Sequence, residues 1–375
     1  MHKKVMRRNI VIPHGFQNHY TIGFSNGLAR NGVKISLITS DDLDVSKLDE
    51  SIECHNFIGD NNPKRNTIKK TLDYVRYHIK LLSFAVNNRN ANLHIIGLLK
   101  YPILLGVLEN LILKVICHRL FLTVHNLLPH DSRTVLNKKI YEVVYRIPDY
   151  LVVHTEEMKN ELSTTFNIRP ARIVVMQHGM NEVVGYCGNS GDNVRKENNI
   201  SADQIVLLSF GKLAPYKGID ILLESFGMLD DNYYLIIAGH PNSKDYENTI
   251  LHGIETNRNK ARILFINGYI DDSDACAYFN AADVLVLPYR HIDQSGVLFL
   301  SMSMGLPVIA FNVGMFSQYV NEKVGLVVDK MDSHGLASSV KEFRRERYDR
   351  NEIINIGKSY GWDKVVKPIV DLYAR

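Results

Sequence analysis

The chain is short of features that would settle its class at once. No apolar run in its 375 residues matches a membrane span. The greasiest stretch, Tyr101 to Val124, is broken by Glu109, Lys114, His118 and Arg119, whereas a spanning helix needs about 20 nearly uninterrupted apolar residues. The basic start, Met1 to Arg8, is followed only by Ile10-Val11-Ile12 before Pro13, far less than the apolar core of a signal peptide. Cysteine is scarce. Cys54, Cys117, Cys187 and Cys276 show no metal-ligand spacing and read as four reduced thiols of a cytoplasmic protein. The dinucleotide fingerprint GxGxxG is missing, which argues against a dehydrogenase. No low-complexity tract, solenoid-length repeat or nucleic-acid-binding module is visible.

What is there is an ordinary globular composition, 45% hydrophobic and 22% charged, with enough apolar residues for two cores. At about 100 to 200 residues per domain, two domains are expected. Charge divides unevenly. Residues 1–180 carry 24 Lys+Arg against 15 Asp+Glu (+9), and the remainder carries 20 against 25 (−5). A basic first half suits an acidic lipid surface or a phosphorylated partner, or is simply solvated.

Short β-branched runs alternate with longer amphipathic stretches, the pattern of βαβ units around a parallel sheet. Strands are expected at Asn9–Ile12, Lys34–Thr39, Asn92–Ile96, Arg119–Val124, Tyr150–Val153 and Arg172–Met176, with helices such as Asn66–Val86 and Asn137–Tyr145 between them. The polar stretch His178 to Asn199, with four glycines, reads as a linker. The alternation then restarts, with strands at Gln204–Phe210, Tyr234–Ala238, Arg262–Ile266 and Asp283–Leu287. Two doubly wound units place a ligand cleft at the carboxyl ends of their strands.

Two loops carry the strongest chemistry. In Ser209-Phe210-Gly211-Lys212-Leu213-Ala214-Pro215-Tyr216-Lys217-Gly218 a strand ends at Gly211 and a helix begins near Gly218. Close backbone approach at glycine, a helix N-terminus and two lysines together suit a diphosphate. The second loop, Pro288 to Val297, ends in Gln294-Ser295-Gly296-Val297. Ser295 reads as an N-cap, with the amides of Gly296 and Val297 aimed at an anion. In the first half, the run Thr123-Val124 delivers His125 and Asn126 into a polar loop that continues to His130 and Asp131. His154-Thr155-Glu156-Glu157 reads as a structural helix cap. Finally, Asn61 to Asn92 interleaves seven basic residues with apolar ones, a pattern suited to an anionic membrane surface.

These blocks, in the order FGKLAPYKGIDILLESF, YLIIAGHP, ILFINGYI, AADVLVLPY and GLPVIAFNVG, resemble the GT-B glycosyltransferases, closest to the retaining family 4 (group 1). The resemblance implies an α/β fold of two Rossmann-like doubly wound domains facing a central cleft. It implies an acceptor-binding domain over 1–180, a donor-binding domain over 181–360, and a C-terminal helix over about 361–375 that packs back on the first domain. It assigns the donor diphosphate to Lys212 and Lys217 beside Gly211, the nucleotide base to Gly268, Tyr269 and Ile270, and the phosphates also to Ser295, Gly296 and Val297. His125 is placed beside the transferred sugar as the catalytic residue. Gly15 lies in the loop facing the cleft, and His14, Asn126, His130 and Asp131 belong to the acceptor side. The family often carries two glutamates eight positions apart, where this chain has Ile292 and Leu300, with Asp293 next to the first. The implied activity is retaining transfer from a nucleotide-diphosphate sugar, UDP-sugar over GDP-sugar, to a glycan or lipid-linked acceptor in bacterial surface polysaccharide synthesis. No metal or other cofactor is implied. The protein is expected to be cytoplasmic, peripheral on the membrane through Asn61–Asn92. A sugar-nucleotide epimerase, and a non-catalytic nucleotide-sugar-binding partner of another transferase, are the alternatives.

Overall fold

A computed structural model describes residues 8–13, 18–60, 65–97, 103–128, 134–184 and 187–374. The chain divides into two compact units, Met1–Gly179 with Tyr360–Arg375, and Met180–Ser359.

The first unit runs β1 (Asn9–Ile12), α1 (Asn18–Arg30), β2 (Ile35–Ser40), β3 (Glu53–Gly59), α2 (Thr67–Asn87), β4 (Asn92–Ile95), α3 (Ile103–Ile116), β5 (Arg119–Thr123), α4 (Val135–Arg146), β6 (Tyr150–Val153), α5 (Glu156–Thr165) and β7 (Ile173–Val175). Its seven strands are in the order β3-β2-β1-β4-β5-β6-β7, and every pairing is parallel. Helices cover both faces of such a sheet, so the inner strands are apolar throughout rather than alternating. Ile10, Ile12, Leu93, Ile95, Leu120, Leu122, Leu151 and Val153 form the core with α-helical residues such as Leu81 and Tyr145.

The second unit runs α6 (Ser190–Glu197), β8 (Ile205–Phe210), α7 (Ile219–Phe226), β9 (Tyr233–Gly239), α8 (Lys244–Glu255), β10 (Ile263–Asn267), α9 (Asp272–Ala281), β11 (Val284–Leu287), α10 (Gly296–Met304), β12 (Val308–Phe311), α11 (Phe316–Tyr319), β13 (Gly325–Val328), α12 (Ser333–Glu342) and α13 (Arg350–Lys358). Its six parallel strands are in the order β10-β9-β8-β11-β12-β13. The direction of winding reverses between β8 and β11, and ligands of open α/β sheets bind beyond the strand ends at that switch point.

The short helices α14 (Trp362–Val365) and α15 (Lys367–Tyr373) belong to the first unit. Trp362 is 1% exposed and fills a slot lined by glycine. A Cβ on Gly23 or Gly27 of α1, or on Gly179, would fall 2.0, 2.6 or 2.2 Å from Trp362, so no larger residue fits there unless the tryptophan moves.

Two expectations are corrected. The stretch His178 to Asn199 is not all linker, because α6 forms inside it and packs on α9. Gly191 permits this, since an added Cβ would lie 2.5 Å from the Asn280 carbonyl carbon. The same packing brings Cys187 and Cys276 together as a disulfide, Cα–Cα 6.0 Å, across 89 residues of sequence. Four separate thiols are therefore not what the fold holds: Cys54 and Cys117 alone are free.

Candidate active site

In the second unit, the β8 and β11 loops meet at the switch point. Leu207 and Leu208 pair with Val284 and Leu285, which sets the two strand ends side by side. The loops are then tied together. Arg290 N donates to Tyr216 O (2.7 Å), its Nη1 donates to Pro215 O (2.6 Å), and its guanidinium grips Asp220 at both carboxylate oxygens. Gly218 takes φ +68°, and a Cβ there would stand 2.1 Å from Pro288 O. Only glycine satisfies both the left-handed backbone and the close approach.

This clamp buries Lys217, which is 5% exposed. Its Nζ donates to Phe210 O (3.1 Å) and lies 5.3 Å from the centroid of the Tyr289 ring. Burial pushes the ammonium pKa down, because the charged form is costly away from water. A buried cation held by one carbonyl and one ring face is a ready partner for an anion. The Nζ stands 3.3 Å, and Val297 Cγ2 3.5 Å, from where a Cβ on Gly211 would be. Lys217, Gly211 and the start of α10 thus converge. Lys212, one residue along the same loop, is exposed.

Ser295 occupies the N-cap position of α10 but makes no side-chain cap hydrogen bond, contrary to the capping read from sequence. Its side chain lies near Tyr289 instead. The first amides of α10 consequently lack the usual side-chain acceptor and keep their capacity for an anion.

The ends of β8, β9 and β10 are stitched by glycine. A Cβ on Gly239 would lie 1.8 Å from Gly211 O, and Gly268 N donates to Gly239 O (3.2 Å). Beyond them Tyr269 is 89% exposed and Ile270 half-buried. Asp293 is half-buried, while Ile292 and Leu300, standing where the paired glutamates are common, are buried in this unit.

In the first unit, His125 is buried beyond β5. Its Nε2 donates to Ile96 O (2.6 Å), and its Nδ1 lies 3.1 Å from His154 Nε2. His154 Nδ1 donates to Met176 O (2.9 Å). Tyr20 of α1 sets its ring edge-on to His125 at 4.7 Å between centroids and also touches His154 and His178. On β4, His94 lies between Thr123 Oγ1 (2.7 Å) and the Tyr373 hydroxyl (2.5 Å). Burial depresses all four imidazoles, His94 and His178 to about 3 and His154 to about 4, with neighbouring imidazoles adding to the effect at His125.

Sequence reasoning singled out His125 but gave His154 only a structural role. Thr155 does cap α5, accepting from Met158 N, and His154 sits beside it with its ring turned to His125. The signal was available: one histidine stands at or just past the carboxyl end of each of β4, β5, β6 and β7. Asn126 is half-buried, its carbonyl within reach of the Tyr145 hydroxyl (3.5 Å). His14, Gly15, His130 and Asp131 lie outside the described residues.

Two parallel doubly wound sheets, the second with a cationic, glycine-lined switch point, define the class as a two-unit α/β protein. Residues 190–360 match the family model for glycosyl transferases group 1, and residues 17–183 match that for glycosyltransferase family 4. Between them the two matches span most of the chain, which belongs to this glycosyltransferase family. It is 22% identical over 254 residues to an uncharacterized glycosyltransferase of Methanocaldococcus jannaschii, covering 65% of this chain and 64% of the relative. It is 26% identical over 238 residues to the D-inositol 3-phosphate glycosyltransferase of Corynebacterium glutamicum, covering 60% of this chain and 57% of that one. The chain thus spans under two thirds of these relatives' length. Its fold matches that of Anabaena HepE in complex with UDP and glucose, TM-score 0.73 at 14% identity, over 98% of this chain and 99% of the other.

Proposed function

We propose that the chain transfers a sugar from a nucleotide-diphosphate sugar to a glycan or lipid-linked acceptor, with retention of anomeric configuration, in surface polysaccharide synthesis. One observation carries the reading: buried Lys217 and the uncapped start of α10 converge on Gly211 at the switch point of the second sheet. Lys217, Lys212 and the Gly296 and Val297 amides hold the diphosphate, and Gly268 to Ile270 line the base. Leaving-group charge is then met by lysine and helix N–H groups, chemistry that asks for no metal.

A thermal-shift screen of UDP- and GDP-sugars tests the donor site. Ligand stabilisation follows RT ln(1 + [L]/Kd), about 2.7 kcal/mol at a hundredfold excess over Kd, and UDP-sugars are expected to give the largest rise in Tm. A flat response to every nucleotide sugar, with none turned over, would sink the reading.

The lipid-linked acceptor is favoured by the outer face of α2 and α3. Ile68, Leu72, Val75, Ile79 and Val86 are all at least half exposed and fall within a sector about 60° wide at about 100° per residue. Their sector is opposite the buried face of Tyr77, Leu81 and Ala85. Exposed Lys69, Arg76 and Lys80 run along one flank. Alongside, α3 exposes Leu108, Leu111, Ile112 and Val115, and His78 on α2 pairs with buried Glu109 on α3 at 2.5 Å. Two adjoining apolar stripes with a basic edge suit an anionic bilayer surface. The protein is expected to sediment with phosphatidylglycerol vesicles at low salt and to be released by added salt. Leu72→Asp with Ile79→Asp should weaken binding at least tenfold, each buried aliphatic side chain contributing about 1.5–3 kcal/mol. Equal sedimentation of wild type and double variant would remove this surface from the proposal.

A further inference from the structure

The contact between His125 and His154 has a proton count that two neutral rings do not meet. A carbonyl oxygen only accepts, so Ile96 O at 2.6 Å requires the hydrogen of His125 on Nε2, and Met176 O at 2.9 Å requires that of His154 on Nδ1. A neutral imidazole carries one N–H. The remaining nitrogens, His125 Nδ1 and His154 Nε2, therefore both present lone pairs, yet they lie 3.1 Å apart, at hydrogen-bond distance. One added proton turns this repulsion into an N–H···N bond.

We propose that His125 and His154 titrate as one unit, sharing a single extra proton along this contact, and that His154 is the positioning residue that gives His125 a positive charge to offer an anion. Burial opposes the charge, as the depressed pKa of each ring shows. Among the described residues, the titratable groups that surround the pair include Tyr20 of α1, His94 of β4, His178 beyond β7, and Tyr373 of α15 behind His94. An anion arriving within about 4–6 Å shifts the balance toward the charged form by about 1–3 pH units. That the anion is a nucleoside diphosphate rests on the proposed function; the shared proton does not. The sign follows from linkage. The bound-state midpoint lies above the free one, so nucleotide affinity is greatest below the free midpoint and falls as pH rises through the bound one.

The test uses the full chain labelled with nitrogen-15 histidine, followed by NMR from about pH 4 to 8, free and with UDP. His125 and His154 should titrate with one common midpoint while His94 and His178 stay neutral, and UDP should raise that midpoint by about one unit or more. In His154→Gln the side-chain NH2 can donate to His125 Nδ1 but cannot take up an extra proton. His125 should then remain neutral in its Nε2–H form, and the pH dependence of UDP affinity should flatten. Separate midpoints, a neutral His125 with its hydrogen on Nδ1, or an unaltered titration in His154→Gln would overturn the shared proton. The first two need only the wild-type chain, so they stand even where the variant folds poorly. UDP that binds without moving the midpoint overturns the charge role. UDP that does not bind overturns the donor-site reading instead, and the ligand-free titration still decides the pair.

Discussion

Replacing Lys217 with alanine is expected to lower kcat by about 10²–10³-fold, the loss typical for one donor that stabilises developing negative charge. Affinity for nucleoside diphosphate should weaken as well, by less. The lysine is 5% exposed, and among the described residues a carbonyl and the Tyr289 ring are what its ammonium touches. That leaves N–H donors for phosphate oxygens. Negative charge on the leaving diphosphate grows toward the transition state, so the contact is stronger there than in the ground state and its loss appears in kcat. Lys217→Arg should rescue little. A planar fork is not a point charge, and the slot between Gly211, Phe210 O and Tyr289 is already filled. Lys212→Ala should be milder, because an exposed charge is screened by water and salt. Steady-state kinetics with UDP binding by calorimetry, on variants whose melting curves match wild type, decide the matter. Unchanged turnover and affinity in Lys217→Ala would end the assignment of this loop to the donor.

Much of this architecture was written locally. Continuous apolar runs such as Ile205–Phe210 and Val284–Leu287 read as strands buried on both faces, and the glycine-lysine loop after the first and the Ser-Gly loop after the second read as an anion site. The exposed edge strand β3, Glu53–Gly59, escaped because its residues are polar or half-buried, so nothing in its pattern marks a core strand. Helix α6 escaped for a related reason: its stability comes from contact with α9 through Gly191, not from an apolar period of its own. The Cys187–Cys276 pairing is equally non-local. At Ser295 the helix start was legible, but the absence of a side-chain cap was not, since where the hydroxyl turns is a tertiary fact. His154 shows the deepest limit. Its neighbours Thr155, Glu156 and Glu157 satisfied a local capping pattern, which gave no sign of the contact with His125 that forms only once β5 and β6 lie side by side.

His125→Ala should lower kcat about 100-fold, more than it weakens nucleotide binding, and the product of the wild-type enzyme should keep the donor's anomeric configuration. Both expectations come from where the two ring nitrogens point. An inverting enzyme needs a general base with a lone pair aimed at the acceptor hydroxyl, in line behind the leaving group. In His125, Nε2 is a donor to Ile96 O and Nδ1 faces His154. Neither nitrogen is offered to an attacking hydroxyl, so the proposed function gives His125 a part in holding geometry and charge rather than in taking the proton. The diphosphate is then the base closest to hand. The acceptor O–H loses its proton to the departing phosphate oxygen on the same face, while the bond from the anomeric carbon to that oxygen breaks and the bond to the acceptor oxygen forms. Because entry and departure share one face on this route, retention is the expected outcome. Leaving-group charge peaks in that step, so removing His125 and its proton affects turnover more than ground-state affinity. The anomeric coupling in the proton NMR spectrum of the product decides the point. An inverted product would require a general base elsewhere, with His130 and Asp131 the first residues to replace, and would leave His125 a purely structural part of the first unit.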